Sequence, residues 1–192
     1  MAIILQNISK SYGSKVIFAD FSLEFEEKKT SIIMGSSGIG KTTLMNIMLG
    51  LIQPDSGKIE GLAGKKISAV FQEDRLLENK SGIENILFVL KNPKNYTKKA
   101  KEVLNDAELL DFYAQKAAEY SGGMKRRLTL CRALISEYDI LILDEPFKGL
   151  DDKIKPKIMQ MIKKYAFDKT VIIITHDKNE AEFFDSSKRI HL

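Results

Sequence analysis

Gly35-Ser36-Ser37-Gly38-Ile39-Gly40-Lys41-Thr42 matches the spacing G-x-x-x-x-G-K-[ST] in full, and those residue types in that order suit the binding of phosphate. Glycines let backbone N–H groups turn inward around β- and γ-phosphates, Lys41 adds a cation, and the Thr42 hydroxyl can ligate Mg²⁺. Thr43 belongs to the same candidate set. The run follows an apolar segment, Ser31 to Met34, and opens a helical pattern, so a helix N-terminus adds its dipole to the loop. A bare glycine turn has no need of Lys-Thr at that offset.

A second candidate is Ile140-Leu141-Ile142-Leu143-Asp144-Glu145-Pro146, which sets two carboxylates at the end of an apolar run. In open α/β sheets ligands sit at the C-terminal ends of buried strands. Asp144 there would bind Mg²⁺ through water, and Glu145 would polarise an attacking water as general base. Carboxylates at strand ends also serve as plain helix caps. A phosphate loop in the same chain favours the chemical role.

Those residues need a scaffold, and the pattern of the chain supplies one. Ser31 to Met34, Ile140 to Leu143 and Val171 to Ile174 are short unbroken apolar runs, which predict parallel strands covered on both faces. Helical patterns lie between them at Thr42 to Leu49, Leu128 to Ile135, Ile154 to Tyr165 and Asp177 to Phe184. Strand, helix, strand repetition predicts an α/β core with right-handed crossovers. Phe21 to Glu26 alternates with period two and pairs naturally with Ala2 to Asn7, which predicts an antiparallel edge. Ser81-Gly82-Ile83-Glu84 reads as a capping box opening a helix through Leu90, and a second helix is expected over Lys98 to Leu104. No strand pattern occurs between Ser81 and Glu119, so one domain over 1–192 is expected, with a helical insert at about 74–120. Pro156 predicts that the helix after Asp151 starts at Lys155 or kinks.

Composition narrows the function classes. With 192 residues, 44% hydrophobic and 29% charged, the chain can bury a sizeable core, which excludes general disorder. Its single cysteine, Cys131, allows neither an internal disulfide nor a cysteine metal site and reads as a core residue in a reducing compartment. No run approaches the ~20 apolar residues of a membrane span, and Met1 to Gln6 lacks a leader pattern. Any membrane role is therefore expected through a partner. The net charge of +4 does not carry a nucleic-acid reading, because Lys91, Lys94, Lys98, Lys99 and Lys101 lack interleaved stacking aromatics and fit a solvated helix face. The chain ends after a last strand pattern, Arg189 to Leu192, and no C-terminal regulatory domain is expected.

Tyr120-Ser121-Gly122-Gly123-Met124, followed by Lys125-Arg126-Arg127, resembles the signature sequence of the ABC ATPases. The family's other stations stand in its order along essentially the whole chain: Tyr12, the loop, Gln72 after Val70-Phe71, Gly149-Leu150-Asp151, and His176 after Ile174-Thr175. Phe71 to Leu77 with Asp144 to Phe147 looks most like the import ATPases for nitrate, sulfonate and taurine. The resemblance implies a P-loop NTPase fold with an N-terminal antiparallel part and an inserted helical subdomain. It implies that Tyr12 stacks on adenine, although a lone tyrosine is also ordinary filler. Gln72 would touch Mg²⁺ or the attacking water with a neutral amide that can let go; by itself it also fits a buried amide closing a strand end. His176 would hold the γ-phosphate and link it to Glu145 and to Asp151 of a second copy. Ser121, Gly122 and Gly123 would contact ATP held by that second copy, where alone they would read as a helix cap.

Departures from the family pattern are Tyr120 for the usual Leu, Met124 for Gln, and Lys148 for a small residue. None removes a phosphate ligand. The resemblance thus implies an ATP- and Mg²⁺-dependent ATPase subunit acting as a homodimer at the cytoplasmic face of a membrane. It would work on a partner permease in a system that includes a solute-binding protein. Two other roles stay open: an exporter or lipoprotein-extraction motor, and a soluble ABC protein of translation or DNA repair. The last usually has two cassettes or long coiled-coil inserts, which are absent from this sequence.

Overall fold

The structure, a computed structural model, describes residues 2–184 and 188–192. Met1, part of the leader reading, lies outside them. β1 (Ile3–Tyr12) and β2 (Lys15–Phe25) form an antiparallel hairpin that pairs Leu5 with Leu23 and Tyr12 with Lys15. Ile3 and Leu5 alternate into the core on β1, Ile8 joins them after a register shift, and Phe18 and Phe25 are buried on β2. A third strand, β4 (Ser56–Glu60), pairs antiparallel with β1, so these strands make a separate sheet of order β2-β1-β4 rather than an edge of the central one.

The central sheet contains β3 (Thr30–Met34), β5 (Ile67–Val70), β6 (Ile140–Asp144), β7 (Thr170–Ile174) and β8 (Lys188–His191), in the order β5-β6-β7-β3-β8. β6, β7, β3 and β8 run parallel, with Asp144 opposite Ile174 and Ile33 opposite Ile190. Every residue of β6 and β7 is buried, which is the reason their sequences are unbroken apolar runs. Each such Ile or Leu contributes about 1.5–3 kcal/mol of burial.

The chain partitions into two compact units, one of residues up to 67 with 138–144 and 168–192, the other of 68–137 with 145–167. In the first, α1 (Lys41–Met48) packs on β6 and ends at Leu49-Gly50. α6 (Lys178–Phe183) starts on Asp177, whose carboxylate accepts from the Asn179 N–H.

The second unit is helical: α2 (Gly82–Leu87), α3 (Thr97–Asp106), α4 (Gly122–Ile135) and α5 (Lys155–Tyr165), with α4 packed against the other three. The predicted capping box opens α2: the Ser81 hydroxyl accepts from Glu84 N–H, and the Glu84 carboxylate accepts from Ser81 N–H at 2.8 Å. That N–H, with the Ser81 hydroxyl and Lys80, pulls the Glu84 carboxyl down to about 2. Pro156 lies in the first turn of α5, where its missing N–H costs nothing. An isolated antiparallel bridge, Ser81 to Lys116, closes the segment in which no strand is predicted. Cys131 is fully buried. No described helix is long and apolar enough to cross a membrane.

Candidate functional site

The loop between β3 and α1 has its predicted context. Gly38 (φ 80) and Gly40 (φ 116) both take left-handed conformations. At Gly40 a Cβ would also lie 2.6 Å from Ile17 Cγ2, so both conformation and space exclude a side chain. Ser36 to Ile39 are exposed, whereas Lys41 is buried, its ammonium donating to the carbonyls of Gly35 and Ser36 at 2.8 Å each. The cation thus sits inside the loop.

Thr42 and Asp144, 102 residues apart, meet in the same unit: the Thr42 hydroxyl donates to Asp144 Oδ2 at 2.9 Å. The residues that deliver them are the first turn of α1 and the last position of β6. A hydroxyl beside a carboxylate is a hard oxygen set. No group of three His, Cys, Asp or Glu side chains suited to a metal occurs among the described residues. A cation here must take most of its ligands from phosphate and water, which suits Mg²⁺.

Tyr12 is 48% exposed at the β1–β2 turn, with the Lys10 ammonium 5.6 Å from its ring centroid. An accessible ring of this kind is available for stacking. His176 follows β7 and is exposed; its neighbours are fixed. Thr175, fully buried, donates to Glu180 at 2.5 Å and accepts from Asp177 N–H at 3.1 Å.

Gln72, Ser121 to Gly123, Glu145 and Asp151 belong to the second unit. Gln72 is exposed, which removes the reading of a buried amide at a strand end. Ser121 caps α4, its hydroxyl accepting from Met124 N–H at 3.3 Å, and the helix begins at Gly122 rather than at Leu128. The signature glycines therefore form the first turn of α4. Gly123 approaches Gly149 closely, since a Cβ on it would stand 3.3 Å from the Gly149 carbonyl. Asp151 accepts from the N–H groups of Ile154 and Lys153, and these, Ile154 foremost, hold its carboxyl below the usual carboxylate range.

Glu145 is half-buried with φ 48, a left-handed conformation that costs a non-glycine residue about 1–2 kcal/mol. Such strain is characteristic of functional sites. Buried polar side chains tie segments of this unit together. Asn85 of α2, fully buried, accepts from Leu77 N–H and donates to the carbonyls of Leu77, Lys80 and Ser81. Arg126 of α4 is another. Arg126 adjoins the signature, which assigns it no role; the available signal is an amide or a cation at helical spacing from core residues, as Arg126 is from Leu130 and Ala133.

Residues 18–148 match the ABC transporter family. The chain is 33% identical to the sulfate/thiosulfate import ATP-binding protein CysA of Halalkalibacterium halodurans, across 99% of this chain and 58% of that one. It is 32% identical to the aliphatic sulfonates import ATP-binding protein SsuB 3 of Rhodococcus jostii, across 94% and 68%. It thus spans a little over half the length of the CysA protein it matches. Its fold is similar to the dimeric structure of MJ0796, a bacterial ABC transporter cassette, with TM-score 0.85, 31% identity and coverage of 98% and 94% of the two chains. A post-hydrolysis state of the same cassette, bound to ADP and Pi, matches with TM-score 0.82 and 31% identity. With the phosphate loop, the strand-end carboxylates and the signature helix in their places, the chain belongs to the ABC transporter family.

Proposed function

We propose that the chain is the ATP-binding and ATP-hydrolysing subunit of an ABC transporter that imports a small solute through a partner permease. The observation that carries the reading is the Thr42 hydroxyl on Asp144, because it joins the phosphate loop to a carboxylate able to hold Mg²⁺. Thr42 and Asp144 would hold the ion, which when bound offsets charge on the β- and γ-phosphates; Gln72 keeps the role that the family resemblance gives it.

The rest of the chemistry belongs to side chains. Gly35 to Thr43 wrap the phosphates, Lys41 turning its ammonium from the loop carbonyls toward them. Tyr12 stacks on the base. Glu145 takes a proton from the attacking water, and His176 donates to the γ-phosphate. Ser121, Gly122, Gly123 and Asp151 serve the nucleotide of a second copy, so the working form is a head-to-tail homodimer. Binding energy that differs between closed ATP and open ADP states is what drives the partner.

Exposed Phe88, Val89, Phe112 and Tyr113 give the helical unit apolar surface for a permease segment. The seat of the chain is then the cytoplasmic face of the membrane, with a solute-binding protein completing the system. The sulfate, thiosulfate and sulfonate of the relatives' names belong to the class of small solutes proposed. Affinity purification of the tagged chain from detergent-solubilised membranes tests this. A polytopic membrane protein recovered in stoichiometric amount, with ATP turnover in the eluate, is expected. Recovery of ribosomal or DNA-bound partners alone would overturn the transport role.

A further inference from the structure

Arg126 lies in the second turn of α4, and its side chain is 4% exposed. A buried guanidinium is costly unless every N–H is used on well-placed acceptors, and here the acceptors fall on two separate segments. Nε and one terminal nitrogen form a fork on consecutive carbonyls, Pro146 at 3.1 Å and Glu145 at 2.7 Å. The other terminal nitrogen donates to the Phe71 carbonyl at 2.6 Å and to Asp74 Oδ1 at 3.2 Å. Gln72 lies between those last two residues. α4 adds further bonds to the same turn: the Thr129 hydroxyl donates to the Asp74 carbonyl at 3.0 Å and Arg132 donates to it at 3.2 Å.

We propose that Arg126 is a positioning residue for hydrolysis, fixing the strained backbone of Glu145 and the turn bearing Gln72 to the helix that Ser121 caps. The proposal rests on the roles given to Glu145 and Gln72 above. Its physical content is geometric. A left-handed glutamate relaxes unless something holds its carbonyl, and the guanidinium holds that carbonyl with the next one. Because the same planar group grips the 71–74 turn, a displacement of α4 at its Ser121 end moves both segments together. Lysine cannot replace this, since an ammonium has no rigid fork to span two segments.

The test uses the full-length chain, with Mg²⁺ and ATP throughout. Arg126→Met is expected to lower kcat about 10–100-fold while the affinity for a fluorescent ATP analogue and the KM change less than about two-fold, because the phosphate loop keeps all its ligands. Arg126→Lys should recover less than a tenth of the lost rate. A residue that only supports the fold would lower the yield of active protein and leave kcat per bound nucleotide and its pH profile unchanged. That result overturns the proposal. Should Arg126→Met fail to fold, Asp74→Asn, which weakens one arm of the grip, is expected to reduce kcat about 3–10-fold at constant KM, and an unchanged kcat contradicts the role. Wild type and Glu145→Gln in the same assay separate the two levels. Turnover in wild type that is lost in Glu145→Gln upholds the ATPase reading even if Arg126 proves silent, whereas absent wild-type turnover overturns both.

Discussion

Lys41→Ala is expected to abolish ATP binding across the micromolar to millimolar range. The ammonium is buried and set 2.8 Å from two loop carbonyls, so it places a cation inside the loop proposed to receive phosphate. Alanine removes that charge and also leaves the carbonyls of Gly35 and Ser36 facing the incoming anion without compensation. Charge-assisted bonds to phosphate are roughly twice as strong as neutral ones, and alanine can make none. Secondary structure should persist, because α1 is held by Leu44, Met45, Ile47 and Met48 in the core rather than by Lys41. Titration with a fluorescent ATP analogue measures the effect. Unchanged affinity contradicts the assigned role of the loop.

Glu145→Gln is expected to leave nucleotide affinity near wild type and to slow hydrolysis by about 10²–10⁴, the share of a general base and worth about 3–5 kcal/mol of barrier. The substitution is nearly isosteric. It also spares the Glu145 carbonyl, to which Arg126 donates, so the left-handed backbone stays held. What is lost is the capacity to take a proton. Phosphate release in single-turnover conditions separates this from slow product loss, and wild-type turnover in the variant would mean that another group orients the water.

How far the sequence carried these expectations depends on how local the determinants are. β3, β6 and β7 are legible because burial on both faces writes itself as an unbroken apolar run. The capping box of α2 is legible because its two bonds span only Ser81 to Glu84. β4 is not, since Ser56–Glu60 contains one apolar residue, Ile59, and its place beside β1 is decided by a partner far away in sequence. The start of α4 is not legible either: two glycines disfavour a helix, so the pattern reads from Leu128, whereas the Ser121 cap overrides that preference and starts the helix at Gly122.

The site divides in the same way. Spacing alone announces the loop and Thr42, whereas the Thr42 to Asp144 bond spans 102 residues and needs the fold. Arg126 and Asn85 escape notice because most of their acceptors, such as that of Phe71 at 55 residues from Arg126, are backbone carbonyls with no side-chain signature. The strain at Glu145 is likewise invisible in a residue that ordinarily avoids positive φ.

The central claim is that Ser121 and its glycines act on nucleotide bound by a second copy of the chain. Light scattering of Glu145→Gln protein, with and without Ser121→Arg, in the presence and absence of ATP and Mg²⁺, measures it most directly. Ser121 is exposed at the first turn of α4, so arginine there fits the folded chain but would block an interface closed over ATP. The account predicts that Glu145→Gln chains double in mass when ATP is added, and that the double variant binds the nucleotide analogue with unchanged affinity yet stays monomeric. ATP-driven association that survives the arginine undiminished would contradict it.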